Sequence, residues 1–206
     1  MIEISADNII KKYGLKRVLT GISFHHQTAV LGIAGSNGSG KSTLLKIISG
    51  LIKPTSGKVE WKIQGDTLSP KAIIPFIGFS APYVQLYEEL TVDENLRFLV
   101  ELQKNSVIKD INELLEQFEI EKLSNSLYGN LSTGQQQRVK LASAVIKKPS
   151  ILIMDEPGSN LDLKGKSLIR NLVQKFKDSD RMVIIASNQK DELDLCDAII
   201  DLNKYR

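Results

Sequence analysis

The sequence predicts an α/β fold in which a mostly parallel β-sheet is flanked by helices, with an N-terminal antiparallel β subdomain and an inserted α-helical subdomain. Two patterns of apolar residues predict the sheets. Two-residue alternation rich in β-branched residues indicates half-buried strands at Ile4–Ile10, Val18–Phe24 and Val59–Ile63. Denser apolar runs indicate strands buried on both faces at Val30–Ala34, Ile73–Phe79, Ile151–Met154, Met182–Ala186 and Ala198–Leu202.

Apolar residues at helical spacing predict the helices that flank this sheet. The predicted helices begin after Lys41 and cover Val92–Lys104, Ile111–Phe118, Thr133–Lys147 and Lys164–Phe176. Because buried strands alternate with helices along the chain, most neighbouring strands are expected to be parallel. Residues 86–148 are rich in helical patterns and lack a convincing strand. We therefore expect them to form a helical subdomain inserted between residues 1–85 and 149–206 of one α/β domain.

The composition excludes several classes of protein. A chain of 206 residues, 42% hydrophobic and 25% charged, is long enough for one well-packed domain. Its net charge of +3 comes from interspersed acids and bases, so no nucleic-acid partner is expected. The single cysteine, Cys196, excludes an internal disulfide. No apolar run approaches the ~20 residues of a membrane-spanning helix, and Met1–Ser5 lacks a secretory pattern. The sequence thus predicts a cytoplasmic protein, whose membrane partner, if it has one, is a separate chain.

A glycine-rich segment follows the predicted strand Val30–Ala34 and precedes a predicted helix. It matches G-x-x-x-x-G-K-[ST] at every fixed position. The glycines let backbone N–H groups point at phosphate oxygens, and the helix start adds its positive dipole end. Lys41 is expected to bind the β- and γ-phosphates, and the Ser42 hydroxyl to coordinate Mg²⁺. The predicted phosphate-binding residues are Gly35, Ser36, Asn37, Gly38, Ser39, Gly40, Lys41, Ser42 and Thr43.

Two adjacent acids follow the apolar strand Ile151–Met154. A buried strand would deliver Asp155 and Glu156 to the carboxyl edge of the parallel sheet, where such folds bind ligands. Asp155 is expected to hold Mg²⁺, directly or through water, and Glu156 to polarise the water that attacks the γ-phosphate. In isolation this pattern often marks only a solvated turn. The phosphate loop upstream favours the catalytic interpretation.

A further motif lies between these two, at Leu131–Arg138, ahead of an amphipathic helix. With its motifs in this order, the chain resembles the ATP-binding cassette (ABC) family, whose hallmark is an LSGGQ stretch at this place. The resemblance spans essentially the whole chain and implies a P-loop NTPase core of the ABC type. It also implies two nucleotide domains packed head to tail, with each ATP between one phosphate loop and the partner's signature. The signature residues expected near ATP are Leu131, Ser132, Thr133, Gly134 and Gln135.

The resemblance extends to three other stretches. Tyr13 stands where the family stacks an aromatic ring on adenine, although a lone Tyr near a strand more often only packs. Ser159–Asp162 resembles the loop that touches its counterpart across the dimer, and Asp162 is expected near the nucleotide. Glu89–Leu96 resembles the start of the helical subdomain that faces the membrane partner.

The chain departs from the family pattern at three places, and two of these departures, the loss of the glutamine and of the histidine, predict slow hydrolysis. Thr133 replaces a glycine, at little cost in an ordinary helix start but at a real cost if the backbone needs a positive φ. Pro82 or Tyr83 stands where a metal-binding glutamine is usual, so Gln85 either substitutes for it or is merely exposed. Ser187 or Asn188 replaces the switch histidine; both hydrogen-bond a γ-phosphate, but neither titrates near neutral pH.

The resemblance implies an ATP-binding, ATP-hydrolysing subunit of an ABC transporter. It would be peripheral on the cytoplasmic face of the membrane, with separate transmembrane permease chains and a second cassette subunit. That subunit is a copy of this chain or a related chain. The alternatives are a weakly active or inactive cassette with a competent partner, and a soluble non-transport ABC ATPase. The soluble non-transport ATPase is disfavoured, because the sequence has no second cassette, no coiled-coil insertion and no basic stripe.

Overall fold

Two β-sheets organise the computed structural model, which describes residues 1–102, 110–179 and 181–205. The smaller, four-stranded sheet is antiparallel in the order β2-β1-β4-β5, with β1 at Ile2–Tyr13, β2 at Lys16–His26, β4 at Ser56–Ile63 and β5 at Asp66–Leu68. The larger, five-stranded sheet has the order β6-β7-β8-β3-β9, with β3 at Val30–Ala34, β6 at Ile77–Ser80, β7 at Ile151–Asp155, β8 at Met182–Ser187 and β9 at Ala198–Asp201. Every strand pair of the larger sheet is parallel, which confirms the predicted α/β class.

The helices begin at the motifs that the sequence singled out. They are α1 (Lys41–Ile48), α2 (Val92–Glu101), α3 (Ile111–Gln117), α4 (Thr133–Val145), α5 (Leu163–Lys177) and the short α6 (Lys190–Leu193). Side-chain caps fix several starts: Thr91 and Glu94 form a capping box at α2, and Ser132 and Gln135 form another at α4. Lys104, the predicted end of α2, lies outside the described residues.

The parallel sheet is buried on both faces. Leu152 and Ile153 are adjacent on β7 and fully buried, yet they belong to different hydrophobic clusters, because successive strand residues face opposite sides. Ile153 packs in the cluster that joins α1 to the antiparallel sheet. Leu152 packs with α4 and α5 on the other side. Between residues 86 and 148, the described chain consists of helices, turns and one isolated bridge, Thr91–Leu127, with no strand.

Two strand predictions were wrong in part. The segment predicted as one strand, Ile73–Phe79, contains a 3-10 turn at Ile74–Phe76, and the strand begins only at Ile77. Pro75 has no N–H for a sheet ladder, and Ile74 and Phe76 are exposed.

The second error concerns Ala198–Leu202, which was predicted to be buried on both faces. Strand β9 lies at the edge of the sheet, and the Ile199 side chain is 51% exposed. Leu202 belongs to the following 3-10 turn. Strand β5 and helix α6, both short, were not predicted. In the described part of the chain, no helix has the length and apolar character required to span a membrane.

Trp61 connects the antiparallel sheet to α1. Its ring is fully buried, and its Nε1–H donates to the Ile48 carbonyl at the end of α1 (2.8 Å). We expect Trp61→Phe to lower the free energy of unfolding by about 1–3 kcal/mol, because the buried carbonyl loses its donor. Urea denaturation followed by far-UV circular dichroism checks this, with the exposed Tyr87→Phe as control. An unchanged midpoint and slope would contradict it.

Candidate active site

A cleft of about 500 Å³ opens between β2 and the glycine-rich loop before α1. Val18 and Thr20 of β2 form one wall, and residues 37–43 form the other. Glu156 also lines the cleft, so the structure brings the acidic pair to the same edge of the sheet as the glycine-rich loop.

The loop passes so close beneath β2 that it requires glycine at position 40. Gly40 has a φ of 102° and is the N-cap residue of α1. A Cβ there would lie 2.7 Å from a methyl carbon of Leu19 and 3.1 Å from the carbonyl oxygen of Val18. The first N–H groups of α1 therefore face the cleft, which is the arrangement that binds phosphate.

Lys41 supplies a buried positive charge at the base of the cleft. Its side chain is only 6% exposed. The ammonium donates to the Gly35 carbonyl (2.8 Å) and forms an ion pair with Glu156 Oε1 (3.1 Å). A buried ammonium needs such partners, and anionic phosphate oxygens would satisfy it equally well.

Asp155 is an orphaned carboxylate at the end of β7. In the described chain, neither of its buried carboxylate oxygens accepts a hydrogen bond of good geometry. Burial raises its pKa and Glu156 adds to that effect, whereas the nearby Ser42 hydroxyl, Lys41 and Lys46 oppose it. Two free carboxylate oxygens beside a hydroxyl are the hard oxygen ligands that Mg²⁺ prefers, so these residues fit that ion.

Glu156 sits on a strained backbone. Its φ is +49°, in the left-handed region that residues other than glycine rarely adopt. Its N–H donates to the Ala186 carbonyl of β8 (2.8 Å), and its carbonyl accepts from the Ser159 N–H (3.1 Å). These bonds hold the turn that directs the Glu156 carboxylate towards Lys41. Strain maintained by surrounding contacts is typical of catalytic positions.

Of the two candidates for the missing histidine, Asn188 faces the phosphate loop. Its side-chain amide donates to Asn37 Oδ1 (3.1 Å). Ser187 is fully buried, and its hydroxyl accepts from the Gln189 N–H (3.0 Å). Ser187 thus lies behind the site and Asn188 within it.

Tyr83, one of the two residues expected at the place of the family's glutamine, forms a cation–π pair with Lys46. The Lys46 ammonium lies 3.8 Å from the centroid of the Tyr83 ring, which packs 5.9 Å from Phe79. Burial and the neighbouring Asp155 raise the pKa of Tyr83. Gln85 is exposed in the same loop, so its role as a metal ligand stays a prediction.

Tyr13 lies at the end of β1, with its ring 52% exposed. The Lys11 ammonium is 5.1 Å from the ring centroid. Tyr13 pairs with Lys16, and Lys16 and Arg17 line the cleft. The ring is therefore one strand pairing away from the cleft wall, and its contact with a base stays a prediction.

The signature segment forms a second open cleft, of about 570 Å³, that shares no lining residue with the first. Ser132 caps α4. Thr133 is the first residue of that helix, and its φ is negative. Thr133 is therefore an ordinary helix start and not a strained one. Gly134 and Gln135 also line this cleft, whereas the Leu131 side chain is buried in the core, where it anchors the start of the helix.

Asp162 is committed to structural contacts at the rim of the signature cleft. Its carboxylate caps α5 by accepting from the Gly165 N–H (2.8 Å), and it accepts from Arg138 Nη2 (3.1 Å). The Gly165 bond and Arg138 lower the pKa of this carboxyl. Arg138 also pairs with Glu119 (2.6 Å), so the turn at residues 159–162 is tied to the signature helix.

Position 134 has little space for a side chain. A Cβ on Gly134 would lie 2.9 Å from the Asn160 carbonyl oxygen. Gly→Ala at a helical position usually stabilises a protein, but here we expect a loss of about 1–3 kcal/mol of unfolding free energy from overpacking. Thr133→Gly, one residue away, should cost less than about 1 kcal/mol. Urea titration of both variants checks this; a Gly134→Ala protein as stable as the wild type would contradict it.

Two residues that support the active site were not predicted from the sequence motifs. Asn203, in the 3-10 turn after β9, accepts from the Ser36 N–H (3.3 Å) and hydroxyl (3.2 Å) and so supports the phosphate loop. Glu192 of α6 is buried behind Glu156 and bonded to the Gly158 N–H (2.7 Å). Neither belongs to one of the motifs, and no spacing pattern indicates them.

The fold and the cleft define a nucleotide-binding ATPase of the P-loop class. A parallel sheet carries a glycine-rich loop with a buried lysine at a helix start, and an acidic pair lies on the strand edge beside it. The chain belongs to the ABC transporter family, whose sequence profile matches residues 19–159. It is an ATP-binding, ATP-hydrolysing subunit of that family.

Relatives agree with this assignment. The chain is 35% identical over 203 residues to a probable sulfate/thiosulfate import ATP-binding protein CysA of Chlorella vulgaris, covering 96% of this chain and 86% of that protein. It is 32% identical over 209 residues to the uncharacterized ABC transporter ATP-binding protein YybJ of Bacillus subtilis, covering 100% and 94%.

Solved structures of cassettes superpose on the fold. The dimeric structure of MJ0796, a bacterial ABC transporter cassette, matches with a TM-score of 0.81 and 29% identity, covering 96% of this chain and 93% of that chain. A dimeric post-hydrolysis state of MJ0796 bound to ADP and Pi matches with a TM-score of 0.82 and 28% identity, with the same coverage. These matches confirm the predicted family and fold.

Proposed function

We propose that the chain works as one of a pair of cassettes, which ATP closes and hydrolysis reopens, and that this cycle drives transport through separate membrane chains. One observation carries the proposal. The phosphate-loop cleft and the signature cleft share no lining residue, although the family motifs on both have nucleotide-binding chemistry. A second cassette that faces this one head to tail would bring its signature cleft to the phosphates of the first. The dimeric relatives support this arrangement.

Within each site the chain's own residues have distinct roles. Backbone N–H groups at Gly38–Thr43 and the Lys41 ammonium bind the phosphates. Ser42 and Asp155 would hold Mg²⁺, which neutralises phosphate charge, with Gln85 as a further candidate ligand. Glu156 accepts a proton from the attacking water, and Asn188 donates its amide to the γ-phosphate. Tyr13 stacks on the base, and the partner's Ser132 and Gly134 complete the phosphate contacts.

An exposed apolar surface supports docking to membrane chains. Tyr87, in the loop before α2, and Phe98, within α2, pack edge to face (5.3 Å between ring centroids), and both are exposed. Leu102, at the end of the same helix, is exposed as well. We assign residues 86–148 to a helical subdomain with this surface towards a permease, on the cytoplasmic face of the membrane. Exposed aromatic clusters of this kind mark protein interfaces.

Mixing two inactive variants tests the paired site. Lys41→Met disables the phosphate loop but leaves the signature intact, whereas Gly134→Asp disables the signature but leaves the phosphate loop intact. Because position 134 has little space, circular dichroism first verifies that the Gly134→Asp protein is folded. Each protein alone should hydrolyse almost no ATP. A mixture should regain turnover, because a mixed dimer contains one complete site. If the mixture stays as inactive as its components while the wild type turns over, the composite site is refuted.

A further inference from the structure

Glu192 is a buried acid outside the family motifs that form the active site. Its side chain is 3% exposed. Oε1 accepts from the Gly158 N–H (2.7 Å), while Oε2 is buried without a hydrogen bond of good geometry in the described chain. A Cβ at position 158 would lie 2.2 Å from Oε1, so only glycine lets the carboxyl reach this backbone.

The Glu192 carboxyl joins two segments that both contribute to the active site. Gly158 belongs to the turn that begins at Glu156 and whose strained backbone aims the Glu156 carboxylate. Glu192 itself lies on α6, which begins two residues after Asn188. Asn188 in turn contacts the phosphate loop at Asn37.

We propose that Glu192 is a positioning residue that transmits the position of Asn188 to Glu156 through its bond to Gly158. This inference rests on the proposed function, because Asn188 reports a γ-phosphate only if ATP binds there. When phosphate draws Asn188, α6 moves with it. The Glu192–Gly158 bond then carries that movement to the turn that aims Glu156.

The cost of the buried carboxyl supports a role beyond packing. A buried carboxyl loses its hydration on folding, and an apolar side chain of similar size would avoid that cost. Burial raises the pKa of Glu192 and the nearby Glu156 adds to this effect, while Ser187 and the Gly158 N–H oppose it. The carboxyl at position 192 is therefore better explained by its hydrogen bond to the turn that carries Glu156 than by packing in the core.

The test compares kinetics of matched variants. Glu192→Met fills the same space without an acceptor, and Gly158→Ala breaks the same bond from the other side. We expect each to lower kcat at least about tenfold with KM for ATP unchanged, and the double variant to be no worse than either alone. Glu192→Gln, which keeps an acceptor oxygen, should retain most of kcat. Asp191→Asn, on the same helix as Glu192, is the control, because it weakens the ion pair with Lys166 (2.9 Å) and leaves the Gly158 bond in place.

Coupling to Asn188 gives the decisive readout. Asn188→Ala should lower kcat in the wild-type background and have little further effect in Glu192→Met. The proposal would be overturned if Asn188→Ala and Glu192→Met lowered kcat independently, so that their effects multiplied. A wild-type kcat in Glu192→Met, or a loss of kcat with an equal loss of ATP affinity, would also overturn it.

A second readout does not need turnover, so it separates this proposal from the proposed function. Hydrogen exchange of residues 156–160 should slow when Mg-ATP binds the wild type, and this protection should disappear in Glu192→Met and in Asn188→Ala. If the wild type binds ATP but never hydrolyses it, the proposed function fails while this test still stands. Protection retained in both variants would refute the role of Glu192.

Discussion

Glu156→Gln should lower ATP turnover by at least about 10²-fold and leave Mg-ATP binding intact, which is the largest single effect that we expect. The carboxylate lies at the cleft beside the Lys41 ammonium (3.1 Å), where it can accept a proton from the attacking water. An amide of the same shape cannot accept it. Loss of a positioned general base costs about 10²–10⁴-fold in rate. Phosphate release at saturating Mg-ATP measures this, with exposed Glu89→Gln as control.

Binding should survive this change for an electrostatic reason. Before ATP binds, Lys41 is partly neutralised by Glu156, and that ion pair competes with phosphate for the ammonium. The glutamine variant loses this competition, so its ATP affinity should equal or exceed that of the wild type. Turnover within tenfold of the wild type would contradict the assignment of Glu156 as the base.

Lys41→Met produces the second large effect, a loss of ATP binding. The methionine fills the buried space of the lysine stem but has no charge and no N–H groups. Charge-assisted hydrogen bonds contribute about 1.5–3 kcal/mol each, so we expect affinity to fall by roughly 10- to 150-fold. Asp155 and Glu156 then lose the compensating charge of Lys41, and their repulsion of the phosphates adds to the loss of affinity.

Isothermal titration calorimetry measures the affinity of the Lys41→Met variant for Mg-ATP. Lys58→Met is the matched control, because its ammonium lies on the surface and pairs with Glu60, away from the cleft. A Lys41→Met protein that folds and binds ATP within threefold of the wild type would contradict the phosphate-binding role of Lys41.

Much of the fold followed from local patterns. Runs such as Ile151–Met154 predicted buried parallel strands, because a strand that is covered on both faces of the sheet carries apolar side chains on both. The errors arose where tertiary position decides. Ile199 is as apolar as Ile153, yet it lies on an edge strand, and only the order of the strands determines that. Ile74–Phe76 is apolar too, but Pro75 precludes a regular ladder.

The site was predictable where its residues belong to short contiguous motifs. Lys41 and Glu156 belong to short motifs, and the sheet brings them together. The contact between Asn188 and Asn37 spans 151 residues, so the sequence left Ser187 and Asn188 as alternatives. Glu192 and Asn203 act through long-range hydrogen bonds, which leave no periodicity or spacing to detect.

Light scattering of the Glu156→Gln protein shows whether ATP pairs two copies of this chain. The variant binds ATP without consuming it, so the closed state should accumulate. The account predicts a monomer without nucleotide and a particle of twice that mass with saturating Mg-ATP, reversed when the nucleotide is removed. A protein that binds ATP in the same sample yet stays monomeric would contradict a self-sufficient pair of cassettes.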